Sequence, residues 1–183
     1  MNKEIILVFG GESTGTRIVT ECIIKTGYEG SSKHQQPLDD ENVKYSEKMV
    51  YRRSFPHSSE WPDTDAIYER FSKLGYNIRV VITTRDWYCM WRSNERNERK
   101  HINEKNRIEV FNETYNRIFS FVNKYDLKYM VMSYEALVYY KHEYLRLMFE
   151  MFDLKNTDLS ELNLMDGNSK WYRPDVPIKG EIC

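Results

Sequence analysis

Residues 10 to 17, GGESTGTR, place two glycines with four residues between them directly behind the apolar run EIILVF of residues 4 to 9. Glycines at this spacing let backbone N–H groups curl around an anion, and a helix starting at residue 16 would add the positive end of its dipole. The implied chemistry is the cradling of a phosphate or a group of similar shape and charge. The match to G-x-x-x-x-G-K-[ST] is only partial. Thr16 stands where the lysine that bridges β- and γ-phosphates belongs, and Arg17 where the magnesium-holding hydroxyl belongs, which disfavours hydrolysis of a nucleoside triphosphate. The same glycines also suit a plain tight turn from strand to helix, so a second feature has to decide.

That feature is VVITTRDWYCMWRS, residues 80 to 93, where an apolar strand ends and delivers Arg85, Asp86 and, about one and a half turns along the next helix, Ser93. Ligands of open α/β sheets collect outside the carboxyl ends of the strands, so this segment and the glycine loop should face one crevice. A third strand end carries Arg52 and Arg53, which alternation sends to opposite faces, so that one should reach the crevice. His57 follows at once. Its near-neutral pKa class suits a general base, although a turn histidine capping local backbone is the alternative. Glu12 is the second candidate base, but a carboxylate inside an anion-binding loop repels the ligand unless it is turned away.

The elements that must position these residues can be read from apolar periodicity. Strands are expected at 4–9, 48–55, 77–84 and 127–133. Helices are expected from Thr16 to a stop at Gly27, from an Asp63 cap to Gly75, after an Asp86 cap, over roughly 103–124, and over 134–152. Residues 28–47 read as a polar surface excursion and 155–183 as irregular chain. Strands alternating with helices imply one domain of class α/β, a three-layer α/β/α sandwich around a parallel sheet.

Composition narrows the partners. In 183 residues, 27 basic side chains nearly cancel 28 acidic ones, so no global field draws the chain to nucleic acid or membrane. Cys22, Cys89 and Cys183 form no CxxC pair, which points away from a disulfide framework or zinc site and toward a reducing compartment. No stretch reaches the roughly 18 apolar residues of a membrane span, and the first nine residues are too short for a secretory core, so a soluble, cytoplasmic protein is expected. No heptad pattern sets an oligomeric state.

In their order, these segments resemble the sulfotransferase family, a P-loop-like fold that takes its sulfuryl group from 3'-phosphoadenosine 5'-phosphosulfate. There a strand runs into a loop of the form [KR]-[ST]-G-T-[ST] that binds the donor's 5'-phosphosulfate, and Thr14-Gly15-Thr16 match its middle. A later strand ends in an arginine followed eight positions on by a serine, both on the donor's 3'-phosphate, and Arg85 and Ser93 keep that spacing. SYEALVYYKHEYLRLMFEMFDL, residues 133 to 154, resembles the family's YEDL-like strand-to-helix segment, where Tyr134 and Glu135 serve helix entry and packing. NSKWYR, residues 168 to 173, corresponds to the basic loop that closes over the nucleotide.

The resemblance implies a metal-independent transfer of a sulfuryl group to a hydroxyl or amine of a small polar or sugar acceptor, releasing 3',5'-adenosine bisphosphate. It places Gly11, Ser13, Thr14, Gly15, Thr16, Arg17, Arg85, Ser93, Lys170 and Arg173 on the donor, and Arg52, Arg53, His57 or Glu12 at the transferred group. Two departures stand out. Ser13 occupies the place of the family's loop cation, which leaves Arg17, Arg52 or Arg53 to supply the charge. Ser54, not a histidine, aligns with the family's base, and His57 lies three residues on. The polar stretches 28–47, with His34, and 87–107 are the expected acceptor walls, while His101 and His142 read as solvated. A degenerate P-loop kinase and a non-catalytic nucleotide-binding module are the alternatives.

Overall fold

Strand β1 (Lys3–Gly10) lies in the middle of the sheet, and its residues from Ile5 to Gly10 are all buried, as a run apolar on both faces requires. The computed structural model describes residues 3–33, 45–97, 105–155, 157–160, 162 and 164–171. His34, His101, Arg173 and Cys183, named above, lie outside them. Among the described residues β1 is joined by β2 (Lys48–Ser54), β3 (Tyr76–Thr84) and β4 (Lys128–Ser133) in a sheet of order β2-β1-β3-β4, every pair parallel.

Among the described residues five helices cover its two faces. Ile6, Val8, Val50, Val81 and Met132 point to one side and meet α1 (Thr16–Lys25), α5 (Tyr134–Tyr140) and α6 (His142–Met151). Ile5, Leu7, Phe9, Met49, Tyr51 and Ile82 point to the other and meet α2 (Thr64–Lys73) and α4 (Arg107–Lys124). Strict alternation along each strand thus builds two cores, and the result is a three-layer α/β/α architecture. Each fully buried Ile, Leu or Phe contributes about 1.5–3 kcal/mol. The remaining helix, α3 (Trp87–Arg96), sits past the end of β3 and buries Cys89, Met90 and Asn94.

The start signals act as expected. Asp63 accepts from Ala66 N–H at 3.0 Å, Asp86 accepts from Cys89 N–H at 2.9 Å, and each opens its helix. No helix among the described residues is long and apolar enough to cross a membrane.

One element departs from expectation. Residues 134–152 form two helices rather than one, broken at Lys141, whose φ of 48° and ψ of −117° lie far from helical values. Leu137 and Leu145 both enter the core, and in a straight helix Lys141, four residues from each, would be buried with them. The break instead leaves Lys141 exposed. A non-glycine residue in such a conformation costs about 1–3 kcal/mol. Lys141→Gly is therefore expected to stabilise the chain by about 1 kcal/mol, read as a rise of about 2–4 °C in thermal midpoint. A midpoint that falls would show that the break is not strained.

Candidate functional site

The chain leaves β1 for β2 on one side and crosses back to β3 on the other, so its direction of winding switches between β1 and β3. A crevice outside the carboxyl ends of strands at such a switch is where open α/β sheets bind ligands. Gly10 and Thr84 are those ends, and the glycine loop and Arg85 follow them.

Close approach fixes the loop. A Cβ on Gly10 would stand 2.1 Å from the Thr83 hydroxyl, so no side chain fits there. Thr14 then turns its hydroxyl inward, 2.7 Å from the Thr83 hydroxyl and 2.7 Å from the Gly11 carbonyl it donates to. From α4, the Tyr115 hydroxyl donates to Thr83 O at 3.0 Å. Burial holds that phenol in its neutral form by raising its pKa. From α3, Asn94, fully buried, donates to Glu12 O at 3.3 Å and accepts from the Ser13 hydroxyl at 2.8 Å.

These anchors sort the expected donor ligands. The Thr14 hydroxyl is committed inside the protein. Ser13 (φ 69°) and Gly15 (φ 93°) adopt left-handed conformations on either side of Thr14, the alternation that turns successive N–H groups to one side as an anion nest. Gly15 caps α1 with no side-chain hydrogen bond, and the N–H groups of the helix's first turn have no partner within the helix. That leaves backbone donors around Gly15, Thr16 and Arg17, rather than side-chain hydroxyls, as the candidates for an anion.

The missing loop cation has one well-placed substitute. Arg52, buried at the end of β2 on the α1 face, brings Nη1 to 3.4 Å from Thr16 Oγ1. Arg53 projects from the opposite face, and Arg17 is exposed on α1.

Arg85 is nearly buried and spans the crevice's other wall. It donates to Ser13 O at 2.7 Å, Asn168 Oδ1 at 2.7 Å and Gly167 O at 3.2 Å, and stacks 4.4 Å from the centre of the Tyr134 ring. Three of the five guanidinium N–H donors make these bonds. Glu135 completes the frame, accepting from Asp86 N–H at 3.0 Å, Ser133 Oγ at 3.0 Å and Asn168 Nδ2 at 2.7 Å. Tyr134 and Glu135 thus serve packing and, in addition, tie residues 167–168 to the loop. Lys170 follows. Its pKa is pushed down by burial first and then by the charges of Arg96 and Arg85. Ser93 is partly buried on α3, and its neighbour Asn94 is the side chain bonded to the loop.

Glu12 and His57 meet on the β2 side. Glu12 is 3% exposed and its Oε1 accepts from Ser58 N–H at 3.1 Å, while His57 Nδ1 lies 3.8 Å from that same oxygen. His57 remains 39% exposed. Sequence patterns gave no reason to single out Asn94 or Tyr115, and gave Thr83 and Asn168 no role of their own within the segments that hold them. The signals were a polar residue on the inner face of α3 and a tyrosine hydroxyl within an apolar stripe, both of which must find partners once buried.

No protein-family model matches the chain, and none of the curated proteins matches it. The site therefore rests on its own geometry.

Tyr115→Phe tests the anchoring. Removing the hydroxyl removes its hydrogen bond to the buried Thr83 carbonyl, a loss of about 0.5–1.5 kcal/mol. The expected result is a lower urea midpoint with an unchanged denaturant slope. An unchanged midpoint would remove Tyr115 from the loop's support.

Proposed function

We propose that this chain is a sulfotransferase of P-loop-like architecture that moves a sulfuryl group from 3'-phosphoadenosine 5'-phosphosulfate to a hydroxyl or amine of a small polar or sugar acceptor. The observation that carries the reading is the pair of cationic positions flanking one loop: Arg52 beside the first turn of α1, and Arg85 bonded to Ser13 O. A donor with two separate anionic groups matches that arrangement, and a triphosphate with its metal does not, because the loop offers no lysine and no suitably placed hydroxyl.

The donor supplies a tetrahedral, weakly charged group on a good leaving phosphate. Backbone N–H groups at the start of α1 hold the anion end, and Arg52 stabilises the charge that builds on the bridging oxygen as transfer proceeds. Arg85 retains two guanidinium donors beyond its protein bonds, and with Lys170 these receive the second phosphate. By the family resemblance Ser93 and Arg173 join them. The acceptor enters from the β2 side, where His57 and Glu12 lie. Fixed cations and backbone dipoles do the work of positioning and charge stabilisation that phosphoryl transfer otherwise shares with a metal.

Titration calorimetry with 3',5'-adenosine bisphosphate tests the reading. The native chain should bind it without magnesium, and Lys170→Ala should weaken binding about tenfold, the effect of losing one charge-assisted hydrogen bond of about 1.5 kcal/mol. Arg52→Ala should leave bisphosphate binding within threefold and lower turnover about 10²–10³-fold, the cost of removing one donor aimed at developing charge. Binding of ATP with magnesium in preference to the bisphosphate would overturn the reading.

A further inference from the structure

Sequence alone leaves His57 and Glu12 as rival bases, and their placement separates the two roles. Glu12 is 3% exposed, its main-chain carbonyl is gripped by Asn94, and its Oε1 already accepts from Ser58 N–H. An acceptor hydroxyl has no route to such a carboxylate. His57 is 39% exposed and turns its Nδ1 edge toward the same Oε1 at 3.8 Å, which leaves Nε2 on the other edge of the ring. A backbone bridge between His57 and Glu60, with bonds of 2.8 and 3.1 Å, fixes the turn that presents the ring.

We infer that Glu12 and His57 form a dyad in which the loop carboxylate is a positioning residue and the histidine is the general base. The inference rests on the sulfuryl-transfer reading for its chemistry and on geometry for its partners. Glu12 would accept the Nδ1 proton, which selects the neutral tautomer whose Nε2 carries a lone pair. Catalytic hydrogen bonds are commonly long before substrate arrives, and a modest ring rotation closes 3.8 Å to bonding distance. In the transfer itself the acceptor O–H proton passes to Nε2 while the acceptor oxygen forms a bond to sulfur. The bond from sulfur to the bridging oxygen breaks, and its electron pair leaves with the adenosine bisphosphate. Glu12 then stabilises the imidazolium, as a buried carboxylate does behind a catalytic histidine.

This arrangement also answers why a carboxylate belongs in an anion-binding loop. Its carboxylate is engaged by Ser58 and His57 on the β2 side, so the loop would carry both the carboxylate that orients the base and the backbone donors proposed for the anion. Each change of loop position would move both together.

The test uses the whole chain and two readouts. Imidazole ¹⁵N shifts of His57, taken without any ligand, should report the Nδ1–H tautomer in the native protein. Glu12→Ala should convert it toward an even mixture, with thermal melting confirming that the variant is folded. Glu12→Gln keeps the acceptor oxygen without the charge, and should lower kcat at least tenfold with the donor KM within twofold, whereas Glu12→Asp should recover part of the rate. A tautomer that is indifferent to Glu12, or a kcat unchanged by Glu12→Gln, overturns the dyad. Failure of the transfer reading would look different: the bisphosphate would not bind, while the ring shifts would still respond to Glu12.

Discussion

The contact between the Thr14 and Thr83 hydroxyls, 2.7 Å long, is the constraint on which the site depends. It exists because Gly10, paired in register with Thr83, carries no side chain, so the loop can fold down onto β3 instead of standing clear of the sheet. The loop's lowest point is thereby tied to the strand that ends in Arg85. Two further anchors, Tyr115 from α4 and Asn94 from α3, come from helices on the far side of the switch point. A shift of any of these elements would be felt at the nest, because the interior is packed too densely to absorb it locally.

Polar groups buried in this way are costly unless satisfied, and here the satisfaction is mutual. Thr83 serves Thr14, Tyr115 serves Thr83 O, and Asn94 serves both Ser13 and Glu12. On the other wall, Asn168 joins Arg85 to Glu135 through its two amide ends. A core of apolar residues could hold the same elements together with fewer demands. The polar version specifies distances between particular backbone groups, which is what a binding loop needs and a merely stable turn does not.

Much of this was legible in the sequence, and what was hidden follows a physical rule. The four strands and the caps Asp63 and Asp86 were readable because apolar runs and short polar side chains act locally. The end of β2 was readable as a source of cations, but only alternation in the folded sheet separates Arg52, which turns to α1, from Arg53, which turns away. The break at Lys141 was hidden, since the apolar stripe on either side of it is continuous in helical period. Asn94 and Tyr115 were hidden for the same reason: their partners are 81 or more and 32 residues away in sequence, and no local pattern encodes such distances.

The substitution of Ser13 for a loop cation shows how one departure propagates. A lysine there would bring its own charge to the anion and would need no help from a neighbouring strand. With serine, the hydroxyl instead bonds Asn94, the carbonyl bonds Arg85, and the left-handed backbone at residue 13 is held from both sides. On the sulfuryl-transfer reading the charge would come from the end of β2, whose register with β1 sets Ser54 beside Gly10 and places Arg52 beside the start of α1. Separating the cation from the loop has a mechanical consequence. If the proposed transfer holds, the loop can be rigid while the charge comes from a side chain packed in another strand, so anion binding and charge stabilisation would be separable roles of two elements rather than one.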